Sequence, residues 1–98
     1  MTLIKDPEGN ETKYLYKIVD FAGKRVLEIG CGEGRLTWRY ASASLSTIGL
    51  DPDKDSLRVA GIDRPSDLGN KVHFANAEAE HIPFRKETFD IAILAWSL

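Results

Sequence analysis

The sequence predicts an α/β protein built on a parallel sheet of about four strands, with helices packed against it. Three observations carry this expectation. Short apolar runs alternate with helical or polar stretches, the pattern of βαβ units. The run VLEI (26–29) leads straight into glycines at 30, 32 and 34, after which a helical pattern begins. The last run, FDIAILAW (89–96), is apolar on both of its faces, as a central parallel strand covered by helices should be.

The elements follow in order. Asp6-Pro7 or Asn10 suits a helix start, since Asp and Asn cap and Pro fits the first turn. Leu15, Ile18, Val19 and Ala22 then make one apolar face, and Gly23 stops the helix. The first strand is VLEI. Arg35 to Ala43 reads as a helix with Leu36, Tyr40 and Ala43 on one face. STIGL (46–50) is the second strand and ends at Asp51-Pro52. Asp53 caps a short helix carrying Leu57 and Ala60, and GIDRPSDLGN (61–70) is a loop by its Gly, Pro, Asp and Asn content. KVHFA (71–75) is the third strand, 76–88 a polar connection, and 89–96 the fourth strand. The whole reads as one domain over 1–98, with an N-terminal helical segment (1–23) and a β/α core (24–98).

Composition narrows the class. The 98 residues carry a net charge of −2, with charges interspersed and no basic stripe, so a chain that wraps nucleic acid is not expected. The longest apolar run, IAILAW, is too short to span a bilayer, and the N-terminus lacks the apolar core of a signal peptide. The single cysteine, Cys31, forms no internal disulfide and fits a reducing cytoplasm. The two histidines and one cysteine show no metal-ligand spacing, so no metal is expected.

A strand, three alternate glycines and a helix make a turn suited to a nucleotide-type ligand. Glycine lets the backbone turn sharply and lets a ligand approach the main chain, and the helix start adds free N–H groups. The dinucleotide pattern G-x-G-x-x-G fails here: counted from Gly30 the third glycine position is Arg35, and counted from Gly32 it is Thr37. No Gly-Lys-Ser/Thr triplet of a Walker-type loop occurs. Glu28, at the mouth of the loop, penalises a pyrophosphate by like charge and favours a ligand with cationic groups. S-adenosylmethionine carries a sulfonium and an ammonium and no phosphate. Asp51, 19 residues past Gly32, stands at the end of the second strand, where a carboxylate can accept from two ribose hydroxyls.

With VLEIGCGEGRLT, IGLDPD and NAEAEHIPFRKETFDIAILAWSL in place, the chain resembles the class I S-adenosylmethionine-dependent methyltransferases. It looks most like the small-molecule branch that includes ubiquinone/menaquinone-biosynthesis methyltransferases. The resemblance covers residues 10 to 98 and implies a Rossmann-like sheet with these four strands in the order 3-2-1-4. It implies that Glu28, Gly30, Cys31, Gly32 and Gly34 line the methionine end of the cofactor, that Asp51 takes the ribose hydroxyls and that Pro52 lies against the adenine. Asn76 and Ala77 fall where the family reads the adenine edge; an aspartate is usual there, and the Asn76 amide oxygen can accept the same bond. Ala95 and Trp96 fall where backbone carbonyls hold the methionine ammonium. The implied reaction is in-line methyl transfer from the sulfonium to a small-molecule acceptor, with positioning as the protein's main contribution and a dedicated general base optional.

The remaining chemical side chains read as structural. His73 belongs on the surface of its strand, His81 in a loop, and Tyr14, Tyr16 and Trp38 in packing; Glu78 and Glu80 are solvated. The family's sheet continues beyond these four strands, and the later strands carry much of the substrate site, so the chain is expected to be the cofactor-binding portion of an enzyme. A non-catalytic cofactor-binding module and a structural or regulatory fragment that needs a partner chain are the competing readings. In the order 3-2-1-4 the fourth strand forms an open apolar edge, which predicts a homodimer paired through it.

Overall fold

The computed structural model describes residues 20–78 and 88–95, and the backbone of 2–5. Its strands are β1 (Thr2–Lys5), β2 (Arg25–Ile29), β3 (Ser46–Asp51), β4 (Val72–Asn76) and β5 (Ile91–Leu94). Its helices are α1 (Thr37–Tyr40), continued by a 3-10 turn over Ala41–Ala43, and α2 (Lys54–Asp63). The strands form one parallel sheet in the order β1-β5-β2-β3-β4. The four expected strands are therefore present in the expected order, and a fifth joins them.

That fifth strand corrects one expectation. The outer edge of β5 is not open: β1 pairs with it from Thr2↔Ile91 to Lys5↔Leu94. The backbone groups that would have recruited a second copy are already bonded within the chain, so the dimer expected through this edge loses its physical basis. The helical face expected from Leu15, Ile18 and Val19 lies outside the described residues.

Elsewhere the differences are local. α1 is shorter than the expected 35–43 because the chain tightens into the 3-10 turn at Ala41. α2 runs on through Gly61 to Asp63, into the stretch expected as loop, and a second 3-10 turn at Ser66–Leu68 buries Leu68. Asp53 caps α2 as expected, its carboxylate accepting from the backbone N–H of Asp55 at 2.9 Å and of Ser56 at 3.4 Å. His73 is exposed on β4. No helix among the described residues is long and apolar enough to cross a membrane.

Side-chain alternation gives the sheet two faces. On one, Phe21, Val26, Tyr40, Ile91 and Ile93 form a buried cluster, with the Phe21 and Tyr40 rings stacked 4.9 Å apart. On the other, Leu27, Ile29, Leu50 and Phe89 pack together. Ile91, Ala92 and Ile93 are all buried, so β5 is covered on both faces, as its sequence requires.

The end of the sheet away from the glycines is tied by Arg25 and Asp90. The guanidinium bonds the carboxylate at 3.2 and 3.3 Å, and the Arg25 backbone N–H donates to it at 2.9 Å. These side-chain and backbone bonds from Arg25 hold the Asp90 carboxyl down at about 2, against an ordinary 3.8. A carboxyl lowered on folding stabilises the fold above its unfolded value and loses that contribution as pH falls through its folded value. The pair's contribution is therefore complete above about pH 4 and fades toward pH 2. Arg25→Met should show a smaller fall in Tm between pH 5 and pH 2.5 than the unaltered chain. An equal fall in both would remove this pair from the acid response.

Candidate functional site

The site is assembled where four adjacent strands end. β2 leads into β3 on one side of itself, while β5 returns to pair on its other side. The chain thus reverses its direction of sheet growth between β2 and β5. In open parallel sheets such a switch point, at the carboxyl ends of the strands, is where ligands bind. The loop Gly30–Gly34, Asp51–Pro52, Asn76–Ala77 and Ala95 all lie at this end.

The glycine loop has the geometry its sequence calls for. Gly30, Gly32 and Gly34 all have positive φ, at 82°, 56° and 90°. Gly32 and Gly34 differ in what surrounds them. A Cβ on Gly34 would sit 2.6 Å from the Trp38 ring, so this glycine lets the indole of α1 close over the loop. A Cβ on Gly32 would meet nothing within 4 Å. Gly32 therefore keeps backbone accessible from an open side, which is what a ligand cradle needs and a packed turn does not.

Asp51 joins this loop to the ends of β3 and α2. One carboxylate oxygen accepts from the Gly32 N–H at 2.9 Å and the other from the Asp53 N–H at 2.8 Å. A carboxylate has about four acceptor positions, so two backbone bonds leave capacity for hydroxyls. Asn76 stands across from Asp51 in the β3–β4 register. Its Nδ2 donates to the carbonyls of Asp51 and Pro52, both at 2.9 Å. The Ala77 N–H donates to the Asp51 carbonyl at 3.2 Å, and the Ala95 N–H to the Ile29 carbonyl at 2.9 Å. Pro52 is exposed and Ala95 half-buried beside them. Trp96 lies outside the described residues, as does His81.

Glu28 lies one layer below. It shares a row across the sheet with Gly49, Phe74 and Ile93. Its carboxylate is fully buried, and Oε1 accepts from Thr37 Oγ1 at 2.8 Å and from the Tyr40 hydroxyl at 2.6 Å. Both donors are on α1, so the carboxylate fastens the helix that follows the glycine loop to the strand that precedes it. Burial first, and the Glu28 charge second, push the Tyr40 phenol well above its ordinary value, which keeps it a donor. Thr37 and Tyr40 were not singled out as Glu28 partners by sequence; their i, i+3 spacing places two hydroxyls on one helix face and was the available signal.

Cys31 is buried against Gly49, whose Cβ would lie 2.8 Å from the sulfur and 2.9 Å from the Phe74 ring. Burial, and then the charges of Glu28 and Asp51, push its thiol up, so it stays protonated and inert. It contributes shape to the loop, and Gly49 makes room for it.

Comparison with known proteins accords with this geometry. A family model described as a methyltransferase domain matches residues 26–98. The chain is similar to a ubiquinone/menaquinone biosynthesis C-methyltransferase of Ectopseudomonas mendocina, with 39% identity over 80 residues, covering 78% of this chain and 31% of that protein. It is also similar to a ubiquinone biosynthesis O-methyltransferase of Aliivibrio fischeri, with 37% identity over 70 residues, covering 70% of this chain and 30% of that protein. Among solved structures, a SAM-dependent methyltransferase from Methanosarcina mazei superposes with a TM-score of 0.69 at 25% identity, covering 85% of this chain and 41% of that one. The chain spans about a third of the length of the curated relatives it matches. With the family model covering everything from β2 onward, this chain belongs to the methyltransferase domain family.

Proposed function

We propose that the chain is the S-adenosylmethionine-binding portion of a methyltransferase acting on a small-molecule acceptor. The observation that carries this reading is the open space over Gly32 at the switch point, with Asp51 bonded to its N–H and Asn76 across from Asp51. These residues fit the cofactor. The glycine loop offers backbone to the methionine portion, with Gly30, Cys31 and Gly34 shaping it. Asp51 has acceptor capacity left for the ribose hydroxyls, and Pro52, Asn76 and Ala77 border the base. Ala95 and Trp96 belong to the end of β5 nearest the loop.

When bound, the cofactor supplies an activated methyl group on a sulfonium, so the protein's work is binding, orientation and exclusion of water. Glu28 contributes its charge from beneath the loop rather than by touching solvent, an arrangement that favours a cationic ligand over a phosphate. No residue is assigned as a general base. The small-molecule acceptor is supported by the net charge of −2 and by relatives named for quinone biosynthesis, which include both O- and C-methyltransferases. The lone cysteine accords with a cytoplasmic setting.

Calorimetric titration with S-adenosylhomocysteine and with NAD tests the cofactor assignment. The expected result is heat and saturation with the former and none with the latter. Tighter binding of NAD would overturn it.

A further inference from the structure

We infer that Asn76 works in two directions at once: its amide NH2 fixes the Asp51–Pro52 backbone, and this leaves its carbonyl oxygen as a preset acceptor that selects a base edge bearing a donor. The inference rests on the cofactor reading above and adds to it the reason an amide, and not a carboxylate, stands at this position.

The Asn76 Nδ2 is bonded to two carbonyl oxygens, those of Asp51 and Pro52. Only a donor satisfies two acceptors, so the amide cannot be flipped without setting Oδ1 against both carbonyls. The orientation of the side chain is thereby determined by its neighbours. Among the described residues Oδ1 accepts no hydrogen bond, and Asn76 is exposed at the same sheet end as the open side of Gly32.

The bonds also form a connected run across three strand ends. The Gly32 N–H meets the Asp51 carboxylate, and the Asp51 carbonyl meets the Asn76 amide. Asn76 thus restrains the same residue whose carboxylate holds the glycine loop. A carboxylate is ordinarily the stronger acceptor toward an amine. Here it could donate to neither carbonyl and would place negative charge against both. Asn76→Asp is therefore expected to weaken binding of an adenine-bearing ligand, although it improves the acceptor.

The test uses the full chain, with Asn76→Asp and Asn76→Ala, and two probes: S-adenosylhomocysteine and S-inosylhomocysteine, in which a carbonyl replaces the exocyclic amine. The unaltered chain should prefer the adenosyl compound by about tenfold or more. Asn76→Asp should weaken its binding by about tenfold and shift the ligand-free amide resonances of Gly32 and Asp53. Asn76→Ala should bind with little preference between the two bases. Asn76→Asp binding as tightly as the unaltered chain, with those resonances unmoved, would overturn the inference while leaving the cofactor reading intact. Equal affinity of the unaltered chain for both compounds would overturn it too, and needs no variant to fold. Failure of the unaltered chain to bind either compound would instead overturn the cofactor reading and this inference with it.

Discussion

Tyr40→Ala is expected to destabilise the chain by about 3–5 kcal/mol, the range for emptying a large aromatic site in a core. Tyr40 is fully buried, its ring stacks on Phe21 at 4.9 Å, and its hydroxyl bonds the buried Glu28 carboxylate at 2.6 Å. The alanine variant loses the ring contacts and also strips a donor from a charge that cannot reach water. Tyr40→Phe separates the two effects. It keeps the ring and removes only the hydroxyl, and should cost about 1.5–3 kcal/mol, the usual range for a hydrogen bond to a charged group. Combining Tyr40→Phe with Glu28→Gln in a double-mutant cycle should give a clearly non-additive result, because each change removes the same bond. Urea denaturation followed by circular dichroism measures all four species. An additive cycle would mean that the hydroxyl and the carboxylate contribute independently.

Gly32→Val is expected to abolish detectable S-adenosylhomocysteine binding while leaving a folded chain. The φ of 56° is unfavourable for a side chain, by about 1–2 kcal/mol, and a β-branched residue adds to that. The space above it is open, so no packed neighbour is displaced, and the fold should survive. What the valine occupies is the side from which a ligand would reach the backbone. Gly34→Val is the control with the opposite character: its side chain would run into the Trp38 ring, so its loss should be in stability first. Thermal melts beside calorimetry distinguish them. Normal binding by a folded Gly32→Val protein would remove the loop from the site.

Much of the sheet was legible because its strands are short apolar runs bounded by Gly, Pro and Asp, and because β5 lacks a polar face. The glycine spacing and Asp51 located the site for the same reason: backbone constraints at a tight turn are written in residue type. β1 was not legible. Four residues at the N-terminus carry too little pattern to mark a strand, and their partner lies at Ile91–Leu94, far along the chain. The sequence also displayed Glu28 without showing its depth; that follows from Thr37 and Tyr40 folding back over β2. For Asn76, residue type suggested an acceptor oxygen. Its donor role depends on the Asp51↔Asn76 register, which no local pattern specifies. Gly49 read as an ordinary strand residue, and its purpose became visible only with Cys31 and Phe74 placed around it.

The central claim is that a SAM-type ligand binds where the carboxyl ends of β2, β3, β4 and β5 meet. Titration of the isotope-labelled chain with S-adenosylhomocysteine, followed by backbone amide resonances, tests it most directly. The account predicts saturable shifts at Gly30 to Gly34, Asp51, Asn76, Ala77 and Ala95, with Arg25 and Asp90 at the opposite end of the sheet unmoved. Saturable shifts centred on Arg25 and Asp90, with the glycine loop silent, would contradict it.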